Sequence, residues 1–159
     1  MENNNQIQKN LKSDKKINNP VNMVRYSYNI SDTIKSVLEE IYKEFGQSTV
    51  TILGRNNSDI KMLKGDDFKI NKNKEDISIK YKNHEELKIK YLTVHKSKGL
   101  ESDNVIIINL QNKISGFPNQ MFDDPVLDLI MPQIEEFEFA EERRLFYVAL
   151  TRTKNKTYL

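Results

Sequence analysis

Three polar clusters in this 159-residue chain have the residue types for chemistry. The first is Arg55-Asn56-Asn57, directly after the β-branched run Thr49-Val-Thr-Ile-Leu-Gly54. The second is T-V-H-K-S-K-G-L-E, Thr93 to Glu101, which takes over from a strand predicted over Lys88 to Val94. The third is the Thr151-Arg152 pair closing E-E-R-R-L-F-Y-V-A-L-T-R, Glu141 to Arg152. Arginines gathered at one sheet edge suit phosphate, because a guanidinium offers fixed, forked donors and never deprotonates. On spacing alone, anion binding and a structural ion-pair network stand as equal alternatives.

Other chemistries lack their parts. There is no G-x-x-x-x-G-K-[ST], and the five glycines (46, 54, 65, 99 and 116) are too scattered to cradle a phosphate. Asp66-Asp67 and Asp123-Asp124 fall in loops and read as solvated acids. Two histidines are too few for a histidine-based zinc site, so no metal site is expected. Zero cysteines exclude disulfides and thiolate ligands and fit a reducing compartment. A hydrophobic content of 37% with 30% charged residues is globular, and a net charge of +2 does not by itself argue for nucleic acid. No apolar run approaches membrane-spanning length, so a soluble cytoplasmic domain is expected, with no membrane partner.

The elements that must position these clusters follow from periodicity. Residues 1–20 are rich in Asn and Lys and are expected to be a disordered polar tail, with residues 21–159 as the domain. Val24 to Asn29 reads as a short strand. Ser31 is placed to cap a helix reaching about Phe45, with Ile34, Leu38, Ile41, Tyr42 and Phe45 on one face and Gly46 ending it. A short helix is expected over Asp59 to Leu63. Ile77, Ile79 and Tyr81 alternate as an exposed strand would. Lys61 to Lys98 holds 11 lysines against six acids, an excess that marks either a solvated face or a nucleic-acid contact. Asn104 to Leu110 is the most apolar segment and reads as a central parallel strand. Gln111 to Pro132 is predicted to be a long surface connection. A helix should follow from about Glu138 to Thr153, with Leu145/Ala149 and Phe146/Leu150 as its buried stripe and Arg144, Val148 and Arg152 along another. Its acids precede its bases, which complements the helix dipole, and Glu141, Glu142 and Arg143 read as helix-start and surface charges. Lys156 to Leu159 opens another strand, so the chain reads as a fragment of a longer protein. Strands alternating with helices give an α/β class with a mainly parallel sheet.

At these same residues the sequence resembles the second RecA-like motor domain, C-terminal in the chain, of UvrD/Rep-type superfamily 1 DNA helicases, especially the helicase IV-like branch. Thr93 to Glu101 resembles motif V, Glu141 to Arg152 resembles motif VI, and I-L-G-R-N-N, Ile52 to Asn57, is similar to motif IV. N-L-Q…G-F-P, Asn109 to Pro118, is similar to the same branch, and the resemblance spans about Val24 to Leu159.

The resemblance implies a RecA-like fold of the P-loop NTPase type without its own P-loop, in a bacterial, cytoplasmic protein that hydrolyses ATP with Mg2+. The Mg2+ would be held by an N-terminal RecA-like domain outside this chain, which makes that domain the first partner. Arg152 then matches the arginine finger on the γ-phosphate, and Arg55 a second γ-phosphate contact. Gly99 and Glu101 match the nucleotide-binding end of motif V, where Glu101 would bond the ribose. The alternative for Glu101 is a helix-start acid. Thr93, His95, Lys96 and Lys98 match the single-stranded DNA track, and Arg144 and Tyr147 a coupling role between the two sites. The implied substrates are single-stranded DNA or duplex junctions, with DNA repair or transcription proteins as further partners. Two alternatives belong to other classes: a helicase-like interaction module that remodels RNA polymerase or a repair complex, and a single-stranded DNA-binding module. Only about 38 residues separate the motif IV-like and motif V-like stretches, which leaves no room for a large accessory domain. Ser102 stands where relatives often carry an aromatic residue. The isolated chain is expected to be inactive as an ATPase.

Overall fold

The computed structural model describes residues 16–26, 29–73, 77–119 and 139–159. Most of the expected polar tail and most of the connection before the last helix lie outside these residues. The elements in chain order are β1 (Val21–Asn22), α1 (Ile30–Phe45), β2 (Thr49–Gly54), β3 (Phe68–Lys72), β4 (Ile77–Tyr81), β5 (Lys88–Thr93), β6 (Asn104–Ile107), α2 (Ala140–Leu150) and β7 (Thr157–Tyr158). Short 3-10 turns at Asn57–Met62 and His95–Ser97 follow β2 and β5. The strands form one sheet in the order β1-β7-β6-β2-β5-β4-β3. Pairing is parallel from β1 to β5 and antiparallel from β5 to β3. This is the expected α/β class: a mostly parallel, mixed sheet with a helix on each face.

Alternation along the strands decides which helix covers what. Val50, Ile52, Ile79, Tyr81, Ile89, Tyr91, Ile106 and Tyr158 point to the face packed by Ile34, Val37, Leu38 and Ile41 of α1. Leu53, Leu92, Val105 and Ile107 point the other way, to Leu145 and Ala149 of α2. β2 lies in the middle of the seven strands, and its Val50, Ile52 and Leu53 are fully buried. Burying such a side chain contributes about 1.5–3 kcal/mol each.

Several expectations are corrected. The strand expected over Asn104 to Leu110 is interior and parallel to both of its neighbours, but it is shorter than expected. β6 stops at Ile107 because Asn109 takes a left-handed φ of 62°, and it lies third from the β1 edge. Its apolar run reflects coverage on both faces. The first strand is Val21–Asn22, not Val24 to Asn29. Among the described residues of that span, the Val24 N–H reaches the ladder, donating to the Leu159 carbonyl. The cap of α1 is Asn29, whose side chain accepts from the Ser31 N–H. Ser31 is instead fully buried, with its hydroxyl donating to the Met62 carbonyl and accepting from the Lys64 N–H. Gly46 does end α1, at a φ of 63°, with its N–H on the Tyr42 carbonyl. The strand through Ile77, Ile79 and Tyr81 exists but is not exposed on that side, since Ile79 and Tyr81 pack against the α1 cluster. The last strand, begun at Lys156 in the sequence reading, pairs in parallel with both β1 and β6.

The β4–β5 turn is fastened to α1 by Glu39, which accepts from the Tyr81 hydroxyl at 2.7 Å and from Asn83 at 3.0 Å. It also lies 2.6 Å from the His84 ring, which stacks on Tyr42 with 3.8 Å between ring centroids. The Asn83, Tyr81 and His84 bonds hold the Glu39 carboxyl at about 2, below its ordinary 4.5. A carboxyl depressed on folding stabilises the fold above its unfolded value and loses that contribution as pH falls. Glu39→Gln should therefore lower the melting temperature at neutral pH and flatten its decline between pH 4.5 and about 2. Thermal melts across that range check this, and an acid limb like that of the parent chain would contradict it.

Candidate functional site

Arg55 leaves the carboxyl end of β2 through a tightly packed turn. A Cβ at Gly54 would collide with the Tyr91 hydroxyl and with Asp59, so glycine is needed for close approach. The Tyr91 hydroxyl donates to the Asn56 carbonyl, and burial pushes this phenol up. Asp59, also buried, accepts from the Asn56 N–H at 2.9 Å and from the Asn109 amide at 3.2 Å. The turn is thus fixed against β5 and the end of β6 before Arg55 makes any contact of its own.

The Arg55 guanidinium grips Glu142 from two nitrogens, Nε at 2.9 Å and Nη2 at 2.7 Å from Oε1. Its Nη1 lies 3.4 Å from His95 Nδ1. The second Glu142 oxygen accepts from the Asn119 N–H at 3.0 Å. The two side chains are only 17% and 10% exposed, so this is a partly desolvated, forked ion pair. Glu142 is therefore not a surface charge, which corrects the sequence reading. The signal was present: Glu142, Leu145 and Ala149 follow the i, i+3, i+7 spacing of one helix face, and all three are buried.

Arg152 lies just past the other end of the same helix. Its Nε donates to the Val148 carbonyl at 3.0 Å, its Nη2 to the Thr151 hydroxyl at 3.2 Å and its Nη1 to the Leu100 carbonyl at 3.5 Å. The Thr151 hydroxyl in turn donates to the Tyr147 carbonyl at 3.0 Å. A Thr-Arg pair where the helix stops thus satisfies its last carbonyls with donors of the favourable charge. Among the described residues Arg152 has no carboxylate partner.

The Thr93–Glu101 loop touches both ends of this arrangement. Thr93 is buried at the end of β5, and its hydroxyl accepts from the Lys96 N–H, so it shapes the turn from within. His95, Lys96 and Lys98 are exposed on that turn. Gly99 adopts a φ of 81°, a conformation that favours glycine. Glu101 is no helix-start acid, because β6 and not a helix follows. It is exposed at the rim of a small crevice that Arg152, Ser97, Leu100 and Ser102 also line. The loop is bound to the segment after α2 by backbone pairs from the Ser102 N–H to the Arg152 carbonyl and from the Lys154 N–H to the Ser102 carbonyl. Ser102 is buried against the Thr51 hydroxyl, a place with room for a small polar side chain.

The structure joins Arg55 to His95 and sets Glu101 and Arg152 on one crevice, where Glu101 lies 3.9 Å from Lys154, but does not bring the two arginines together. Glu142, which holds Arg55, and Val148, which holds Arg152, are six residues or about 9 Å of helix apart. Arg144 and Tyr147 are half-buried between them on α2. A mainly apolar groove of about 800 Å3 lies between α1 and the start of α2. Its polar lining residues include Arg25, Asn109, Gln111 and Arg143. Among the described residues no group of three His, Cys, Asp or Glu could hold a metal, and no helix is long and apolar enough to cross a membrane.

Glu142→Ala should leave the Arg55 guanidinium without its carboxylate and cost about 1.5–3 kcal/mol, the range for hydrogen bonds to a charged group. Urea unfolding checks this, and Glu142→Gln, which keeps part of the bonding, should lose less.

Comparison with known proteins now bears on these observations. The UvrD-like helicase C-terminal domain family matches residues 68–159, more than half of the chain, including the Thr93–Glu101 loop and α2 but not Arg55. The chain is 43% identical over 72 residues to DNA helicase IV of Escherichia coli (strain K12), covering 45% of this chain and 10% of that protein. It is 39% identical over 72 residues to a probable DNA helicase II homolog of Mycoplasma capricolum, covering 45% of this chain and 8% of that protein. The chain thus aligns with about a tenth of the length of these relatives. No solved structure matches it. The match runs through the loop and the helix that hold Glu101 and Arg152 side by side, and the chain belongs to the UvrD-like helicase C-terminal domain family.

Proposed function

We propose that this chain is the second motor domain of a bacterial ATP-dependent DNA helicase and supplies the arginine finger to an ATP site completed by another domain. The observation that carries this reading is Arg152. Its guanidinium is aimed by a helix-end carbonyl, a hydroxyl and a second carbonyl, all neutral, so its charge stays uncompensated at an exposed rim. A positive group held this way can meet charge that develops on a transferring phosphoryl group without first breaking an ion pair. Such fingers are worth roughly 10³ to 10⁵ in rate.

Glu101 shares that rim and would accept from a ribose hydroxyl, with Gly99 allowing the turn that presents it. Arg55 is the second phosphate contact in this reading, and to act it must exchange Glu142 for phosphate. His95, Lys96 and Lys98 on the exposed turn would meet the backbone of single-stranded DNA, with Thr93 holding the turn in shape. Arg144 and Tyr147, on the helix between the two arginines, would carry the coupling. ATP and its Mg2+ would be held chiefly by the first motor domain, since no acid cluster among the described residues suits the metal.

The chain by itself should show no ATP hydrolysis above background. Joined to the first motor domain of its parent protein, it should show DNA-stimulated turnover. Arg152→Ala should then lower kcat by roughly three orders of magnitude or more while leaving the melting temperature nearly unchanged. Turnover that survives the substitution, measured by phosphate release, would remove the finger assignment.

A further inference from the structure

The lysine excess between Lys61 and Lys98 is not absorbed by the helicase reading, and the sheet gives it a shape. Phe68, Ile79, Tyr81, Ile89 and Tyr91 bury one side of β3, β4 and β5 against α1. The residues alternating with them, Lys69 and Asn71 on β3, Ser78 and Lys80 on β4, Lys88 and Lys90 on β5, therefore share the opposite side. That is the side covered farther along the sheet by α2, which stops short of these strands: Lys69, Lys80 and Lys88 are exposed and Lys90 is half-exposed.

The register lines these residues into two rows. Lys69 lies opposite Lys80, and the Ile79–Ile89 pair sets Lys88 on Lys80's other flank. Asn71 lies opposite Ser78, and Ser78 opposite Lys90. Strands about 4.8 Å apart put three lysines of one row within about 10 Å. Like charges directly opposite each other destabilise a sheet, and neither row contains an acid. Among the described residues none of the four lysines has a carboxylate partner. The acids nearest in sequence lie between the strands: Glu75 and Asp76 between β3 and β4, Glu85 and Glu86 between β4 and β5, and Asp67 before β3, where it pairs with Lys35. Among the described residues the two rows thus set like charges side by side, a repulsion that a bound anion would relieve.

We propose that this face binds the phosphate backbone of duplex DNA without reading its bases. The two rows contain no apolar side chain, so a protein partner would find no hydrophobic centre to bury. They contain no aromatic ring, so unpaired bases would find no stacking platform. Closely spaced point charges flanked by Asn and Ser donors fit the dense, regular charge of a double-stranded backbone. The surface is separate from the His95–Lys98 turn and does not depend on the ATP reading.

Lys80, which has a lysine on each flank, gives the decisive test, because binding and folding should respond with opposite signs. Anisotropy of a fluorescein-labelled duplex is titrated with the chain over a range of NaCl concentrations. Lys80→Glu should weaken binding about five- to tenfold at low salt and reduce the salt slope by about 1 to 2. Its melting temperature should be equal or higher, because the Lys69–Lys80 repulsion becomes an attraction. Lys80→Gln should reduce the slope by about 1, again without loss of stability. Arg152→Ala should bind duplex like the parent chain, which separates this surface from the ATP site. Duplex binding unchanged in Lys80→Glu overturns the proposal. So does a loss confined to single-stranded DNA, or Lys80-dependent binding of polyglutamate in place of duplex.

Discussion

Parallel pairing of β2 with β5 on one side and β6 on the other is the constraint on which the site depends. Residue by residue, Thr51 lies between Lys90 and Val105, and Leu53 between Leu92 and Ile107. A slip of one residue would turn Val50 and Ile52 away from α1 and Leu53 away from α2, so the two cores lock the register from opposite faces. Once it is locked, Gly54 and Thr93 lie side by side, and the turns that follow them bring Arg55 beside His95. The same register brings the Thr51 hydroxyl to Ser102 and sets the crevice that Glu101 and Arg152 share.

α2 converts this arrangement into two electrically different arginines. At its start a buried carboxylate compensates Arg55, and at its end backbone carbonyls and a hydroxyl hold Arg152 without cancelling its charge. A partly buried pair resists disruption because separating it leaves a desolvated charge. A guanidinium on neutral acceptors at an exposed rim is free to answer an incoming anion. The helix between them is a rigid spacer, so displacement at one end is felt at the other. That is a physical basis for linking an event near the His95–Ser97 turn to one near Arg152.

The antiparallel β3–β4 extension follows a different logic. Its inner side adds Phe68, Ile79 and Tyr81 to the α1 core, and Glu39 fastens its turn to the helix. That anchoring allows the outer side to keep lysines in opposition that an isolated hairpin would not tolerate.

The sequence by itself determined the element types and the identity of the polar clusters. β-branched runs and i, i+4 stripes mark β2, α1 and α2 because local period and burial coincide there. Gly46 could be placed because a helix end with positive φ selects glycine. The same reading misplaced the α1 cap, since Ser31 and Asn29 are both good caps and only packing against Met62 and Lys64 claims Ser31 for the interior. It ran β6 on to Leu110 because an apolar run does not reveal the left-handed turn at Asn109 that ends the pairing. It took Glu142 for a surface charge although its spacing with Leu145 and Ala149 marks the buried stripe; only its partner, an arginine 87 residues away, is hidden from the local sequence. What only the tertiary structure decided was which charges meet. Partners such as Arg55 and Glu142, and neighbours such as Glu101 and Arg152 on one crevice, are chosen by strand register and helix placement, which are non-local.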